Sequence, residues 1–158
     1  MRVTVGISPG SRHIGIAVLH KKQLIAWRVQ TFKGKWSQHK EAAIIEALQK
    51  LFASYKVEAV SAKIPDLFPD SLGFSQVLGI INRLCERKGL RAQYYTLGDI
   101  KQHFSTNPKV NKNAIVAYLV HRYPELMPEY KRAQRGRAKY YARIFEAMAA
   151  GLCAHCEK

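Results

Sequence analysis

The sequence predicts an α/β domain built on a mixed five-stranded sheet with helices on both faces. Three observations carry this. Three short runs of alternating apolar residues fill the first 32 positions. Two amphipathic stretches follow, each leading into a short apolar run, and the remaining third has helical periodicity with no further strand pattern. The element order is βββαβαβα with additional helices toward the end, and 158 residues suit a single domain spanning 1–158, with no internal repeat.

Val3, Val5 and Ile7 alternate up to Ser8, and Ile14, Ile16 and Val18 alternate after the turn at Pro9-Gly10-Ser11. Proline presets φ and glycine tolerates positive φ, so the chain reverses there and leaves Ser8 at the tip of the first strand. Lys21-Lys22-Gln23 form a second polar turn, and Leu24 to Phe32 alternates as a half-buried strand, completing an antiparallel meander. Ser37 is an N-cap for a helix running to about Tyr55, with Ile44, Ile45, Leu48, Leu51 and Phe52 on one face. Val57 to Ile64 is then a strand parallel to the first, because a helix crosses over to it.

Pro65 to Phe74 reads as a loop, and Ser75 to Lys88 as a second helix closed by Gly89. Leu90 to Thr96 is the fifth strand. Helices follow at Gly98 to Phe104, Asn111 to Tyr123 and Lys139 to Cys156, separated by polar or proline-bearing loops.

Charge is the most informative total. Lys and Arg number 26 against 11 Asp and Glu, a net charge of +15, which favours a polyanionic partner, nucleic acid before an anionic membrane surface. No apolar run approaches the roughly 20 residues of a membrane helix. The N-terminus enters a strand directly, so no targeting segment is expected, and three cysteines imply no disulfide framework; a cytoplasmic location fits. Lys131, Arg132, Arg135, Arg137, Lys139 and Arg143 crowd one acid-free segment, interleaved with Tyr130, Tyr140 and Tyr141. Cations hold phosphates and rings stack on bases, so this segment is a candidate nucleic-acid surface; a solvated basic face is the plainer alternative. Arg12, Lys101, Lys109 and Lys112 are further candidates. Cys153, His155 and Cys156 provide one C-x-x-C without a second pair, short of a structural zinc site. His13, beside the first turn, is placed to touch phosphate, with an ordinary loop histidine as the plainer reading.

The opening GISPGSRHIG resembles that of the RuvC-type Holliday-junction resolvases of the RNase H-like superfamily, whose usual form has Asp where this chain has Ser8. The likeness recurs in order along nearly the whole chain. Tyr55 to Lys63 is similar to the family stretch leading to a catalytic Glu, a position held here by Lys63. Asp70-Ser71 with Gln76 and Gly79 resembles the loop and helix start that approach the junction, one residue shorter, where the family places rings; Phe68 and Phe74 stand there, either as junction contacts or as core plugs. In Thr96 to Val116, Lys101 and Lys112 match basic positions facing DNA. Phe145-Glu146-Ala147-Met148-Ala149 resembles the closing helix, with Glu146 at the last acidic position and Arg143 at another.

The resemblance implies the RNase H-like fold, a branched or four-way-junction DNA partner and a homodimer matching the junction's two-fold symmetry. It also implies a two-metal phosphodiesterase site, which needs three or four carboxylates to hold two Mg²⁺ or Mn²⁺ ions. Ser8, Lys63, Arg143 and Glu146 stand at those positions, and only Glu146 is acidic. Lys63 and Arg143 put cations where dications would sit and suit a phosphate instead. The expectation is therefore junction binding with the nuclease site largely lost and no metal cofactor. Two rivals stay open: an active Mg²⁺- or Mn²⁺-dependent crossover junction endodeoxyribonuclease whose ligands have moved, with Asp66, Asp70 and Asp99 as the spare carboxylates, and a protein-interaction scaffold.

Overall fold

The computed structural model describes residues 1–66, 72–104 and 110–156, leaving aside the side chains of 137, 138, 155 and 156. Five strands form one mixed sheet: β1 (Arg2–Ser8), β2 (His13–His20), β3 (Gln23–Thr31), β4 (Lys56–Lys63) and β5 (Arg91–Tyr95), in the spatial order β3-β2-β1-β4-β5. β1 pairs antiparallel with β2, and β2 with β3; β1 pairs parallel with β4, and β4 with β5. The meander and the crossovers fall where the alternation and the intervening helices require.

Side-chain alternation divides the core in two. Val3, Val5, Ile7, Ile14, Ile16, Val18, Val60 and Ala62 face one side, where α1 (Gln38–Ser54) and α2 (Leu72–Arg87) bury Ile44, Leu48, Val77, Ile80 and Ile81 against them. The opposite face carries Ala17 and Leu19 beneath α6 (Ala142–Cys156), flanked by α3 (Leu97–Phe104) and α4 (Lys112–Arg122). Ser8 and Lys63 have the parity of this second face, so the strand period itself turns both toward α6. Ser37 caps α1 by accepting from the Lys40 amide at 3.1 Å, and Asn111 caps α4 by accepting from the Ala114 amide at 2.8 Å. Among the described residues no helix is long and apolar enough to cross a membrane.

Two glycines let α6 lie close on the sheet. A Cβ at Gly6 would collide with the Ala147 carbonyl, and one at Gly15 with the Arg143 backbone. Both contacts are to backbone, which cannot swing away. Gly6→Ala is therefore expected to destabilise the domain by about 3 kcal/mol, the upper end of ordinary overpacking, as read by urea unfolding.

Three boundaries differ from expectation. α2 starts at Leu72 rather than Ser75, which places Phe74 inside the helix. The segment read as loop before the last helix holds a 3₁₀ turn at Pro124–Leu126 and then α5 (Met127–Ala133). Pro124 and Pro128 supply helix-compatible φ in their opening turns, and fully buried Leu126 anchors them. The closing helix starts at Ala142, because Gly136–Tyr141 winds as 3₁₀.

Candidate functional site: a carboxylate ringed by cations

The four positions singled out by resemblance meet at one point, although they lie far apart in the sequence. β1 delivers Ser8, β4 delivers Lys63, and the first turns of α6 deliver Arg143 and Glu146. Lys63 Nζ lies 3.1 Å from Glu146 Oε2. Ser8 Oγ donates to Glu146 Oε1 at 3.4 Å and accepts from Arg143 Nη1 at 3.5 Å, both long contacts. Arg143 Nη1 also donates to the Pro9 carbonyl at 3.2 Å, tying α6 to the β1–β2 turn. A fifth member arrives from α4, where Lys112 Nζ stands 3.6 Å from the same Oε2. Resemblance assigns Lys112 only to a DNA-facing position. Its approach to Glu146 depends on how α4 packs beside α6, which no local pattern encodes.

Glu146 is 15 % exposed and Lys63 23 %, whereas Lys112 is 48 % exposed. Burial alone would raise the Glu146 pKa, but Lys63, then Lys112 and Arg143, outweigh it, and the carboxyl ionises below its ordinary 4.5. A carboxyl so depressed stabilises the fold fully above that ordinary value, and the stabilisation fades as pH falls through the lower, folded-state value. Acid unfolding of the native chain should therefore carry a proton-uptake slope below pH 4.5 that is smaller in Glu146→Gln, with circular dichroism across an acid titration as the check.

The turn Pro9-Gly10-Ser11, Pro65 and Phe74 wall a cleft of ≈ 240 Å³ over this cluster. Phe74 is 5 % exposed and lines the wall of this cleft. Phe68 and Lys109 lie outside the described residues, as does the side chain of Arg137. Arg12, Lys131, Arg132, Arg135 and Lys139 are exposed, and Lys101 is half-buried on α3. Arg132 is engaged within the protein: Nη1 lies 3.2 Å from Glu129 Oε1, and the guanidinium sits 5.4 Å from the Tyr141 ring centroid.

The interleaved tyrosines behave differently from bare base platforms. His13 stacks on Tyr140 with centroids 4.3 Å apart and planes 7° from parallel, and Tyr140 stacks on Tyr141 at 4.9 Å. These rings pin the basic 3₁₀ segment to β2. Burial, then the nearby Arg143 and Arg12, lower the His13 pKa and so favour the neutral ring.

The donor set does not fit a pair of divalent ions. Mg²⁺ and Mn²⁺ require several hard, anionic oxygens, and among the described residues, which leave out Asp70, the cleft offers one carboxylate, already paired with two ammonium groups. A cation about 4 Å from a dication costs about 8 kcal/mol at an effective dielectric near 20, and this cleft holds Lys63 and Arg143. Among the described residues no three His, Cys, Asp or Glu side chains converge elsewhere. Asp99 instead closes a capping box on α3: it accepts from the Thr96 amide at 3.0 Å, and Thr96 accepts from the Asp99 amide at 3.1 Å.

Comparison with known proteins agrees with this architecture. The structure is similar to Thermus thermophilus RuvC in complex with a Holliday junction substrate, with a TM-score of 0.77 at 18% identity over 96% of this chain and 91% of that one. It is similar to the yeast mitochondrial Holliday junction resolvase Ydc2, with a TM-score of 0.70 at 12% identity over 96% and 78%. For the Fowlpox virus resolvase in complex with Holliday junction DNA, the TM-score is 0.62 at 11% identity over 98% and 99%. At these identities the likeness is one of fold. A search of curated proteins gives no significant match. The family model of the crossover junction endodeoxyribonuclease RuvC matches residues 4–138, a span that includes Ser8, Lys63 and Lys112 and stops short of Arg143 and Glu146. With that span covered, and with the RNase H-like sheet and closing helix in place around it, the chain belongs to the RuvC family.

Proposed function

We propose that this protein binds branched DNA, a four-way junction above all, and holds it without cutting. The observation that carries the reading is the meeting of Lys63, Lys112 and Arg143 around the single carboxylate of Glu146. Among the described residues, three cations against one anion leave an excess of positive charge in a cleft at the end of the central strands. A backbone phosphate fits that excess directly, in the place where the family's chemistry would call for metals. The exposed Arg12, Lys131, Arg135 and Lys139 extend the charge across the surface. A homodimer would present two such clefts to the two-fold symmetry of a junction, a geometry suited to recombination or repair intermediates.

The test uses a labelled four-way junction and a matched duplex, each with Mn²⁺ or with EDTA, and reads binding and strand cleavage on the same samples. Junction-selective binding that is indifferent to EDTA, with no cut strand, is the expected result. With about six phosphate contacts, affinity should fall roughly a thousandfold between 50 and 200 mM salt, while the preference for junction over duplex persists. Metal-dependent nicking would make the protein an enzyme with displaced ligands. Binding without structural preference would leave only a charged scaffold.

A further inference from the structure

The phosphate cleft does not end at Glu146. A cavity of ≈ 20 Å³ continues from Lys63 and Glu146 past Lys112, Val116 and Phe145. Beyond it, between α4, α5 and α6, opens a groove of ≈ 430 Å³ that shares Lys112, Val116 and Phe145 with that cavity. Its volume falls within the roughly 300–1,000 Å³ of small-ligand sites. The floor is apolar: Val116, Ala142 and the half-buried Tyr130, whose ring stands edge-on to the buried Phe145 with centroids 6.3 Å apart. The rim is polar in a particular way. Lys112 and Lys139 supply cations, and Asn113 and Gln134 supply two side-chain amides, each with a donor and an acceptor.

We propose that this groove receives one unpaired nucleobase of the bound DNA, next to the phosphate held in the cleft. The proposal rests on the DNA-binding reading above and adds the chemical class recognised beyond the backbone. A nucleobase has a flat apolar face for this floor and an edge of donors and acceptors for the amides, as in base recognition by Asn and Gln. Its own phosphate is anionic, which matches Lys112 and Lys139 and the chain's net charge of +15. Lys112 belongs to both sites, so phosphate and base can be contacted by one nucleotide step. A base stacked inside a continuous duplex cannot enter; a base at a branch point or bulge can, because its unstacking has already been met by the DNA.

The experiment compares two duplexes that differ by one group: one carries a single-nucleotide adenine bulge, the other an abasic residue at the bulge. Backbone length and charge are the same, so the ratio of affinities reports the base alone. About tenfold tighter binding of the adenine bulge is expected, the scale of one base stacked on aromatic side chains. The double variant Asn113→Ala/Gln134→Ala and the plugged variant Ala133→Trp, all at residues lining the groove, should both bring the ratio close to one. Equal affinity of native protein for the two bulges overturns the nucleobase site while leaving phosphate binding standing. A ratio that survives in both variants places the base elsewhere and equally overturns the proposal. Failure to bind either DNA, or a four-way junction, overturns the DNA-binding reading and this one together.

Discussion

Glu146→Gln should tighten DNA binding by about tenfold and, at the same time, lower the stability of the free protein by about 2 kcal/mol. The two effects have one origin. In the free protein the carboxylate is the internal counterion of Lys63, Lys112 and Arg143, and a phosphate entering the cleft must displace it from them. A charge pair near 4 Å is worth about 4 kcal/mol at an effective dielectric of 20, and the half-exposed Lys112 is screened well below that, so a net gain of about 1.4 kcal/mol, or tenfold, is a conservative expectation. Without DNA, the same substitution leaves Lys63 and Arg143 partly buried and uncompensated, the circumstance in which removing one partner of a pair is costly. Thermal melting with and without inorganic phosphate, beside fluorescence anisotropy on a labelled junction, reads both quantities. Phosphate should restore more stability to the variant than to the native chain. A nuclease relying on Glu146 for metal would show the reverse, with binding unchanged or weaker and cleavage gone.

The combined change Ser8→Asp, Lys63→Glu, Arg143→Asp should invert the chemistry of the cleft. Four carboxylates would then face one another where one carboxylate now faces cations. Like charges at this range repel and raise one another's pKa, so the metal-free variant should melt well below the native chain and recover part of the loss at low pH. A divalent ion at a hundred times its dissociation constant would return about 2.7 kcal/mol, so 5 mM Mn²⁺ should raise the melting temperature of the variant and leave that of the native chain unmoved. Junction affinity in EDTA should fall about a hundredfold, because the charge-assisted contacts to phosphate are gone. Equal Mn²⁺ stabilisation of native chain and variant would sink the reading that the native cleft holds phosphate in place of metal.

The two halves of the molecule differed in how far the chain could be read. Strand period made β1 to β4 legible, and the parity that placed Ile7 and Ala62 in one core put Ser8 and Lys63 under α6 without further argument. α5 escaped notice because it buries no residue, and a seven-residue helix without an apolar face leaves no periodic signal. Resemblance brought Ser8, Lys63, Arg143 and Glu146 together, since their separation along the chain defeats any local rule. Lys112 joined them through tertiary packing alone. By composition the tyrosines of the basic segment are candidate base platforms; in the fold Tyr140 stacks on His13 and Tyr141 on Tyr140, contacts set by tertiary packing that composition does not encode.

Ser8 and Glu146 are separated by 138 positions, and the contact between them closes nearly the full length of the chain. During synthesis, a ribosome-bound chain would have all five strands in hand well before α6 emerges, yet it would lack two of the charged groups at the cleft. The cluster of Ser8, Lys63, Arg143 and Glu146 thus forms only with the docking of α6 across Gly6 and Gly15. A strongly basic nascent polypeptide would thereby lack the assembled cleft until α6 is in place, and on the proposed reading anion binding reports whether that helix is seated.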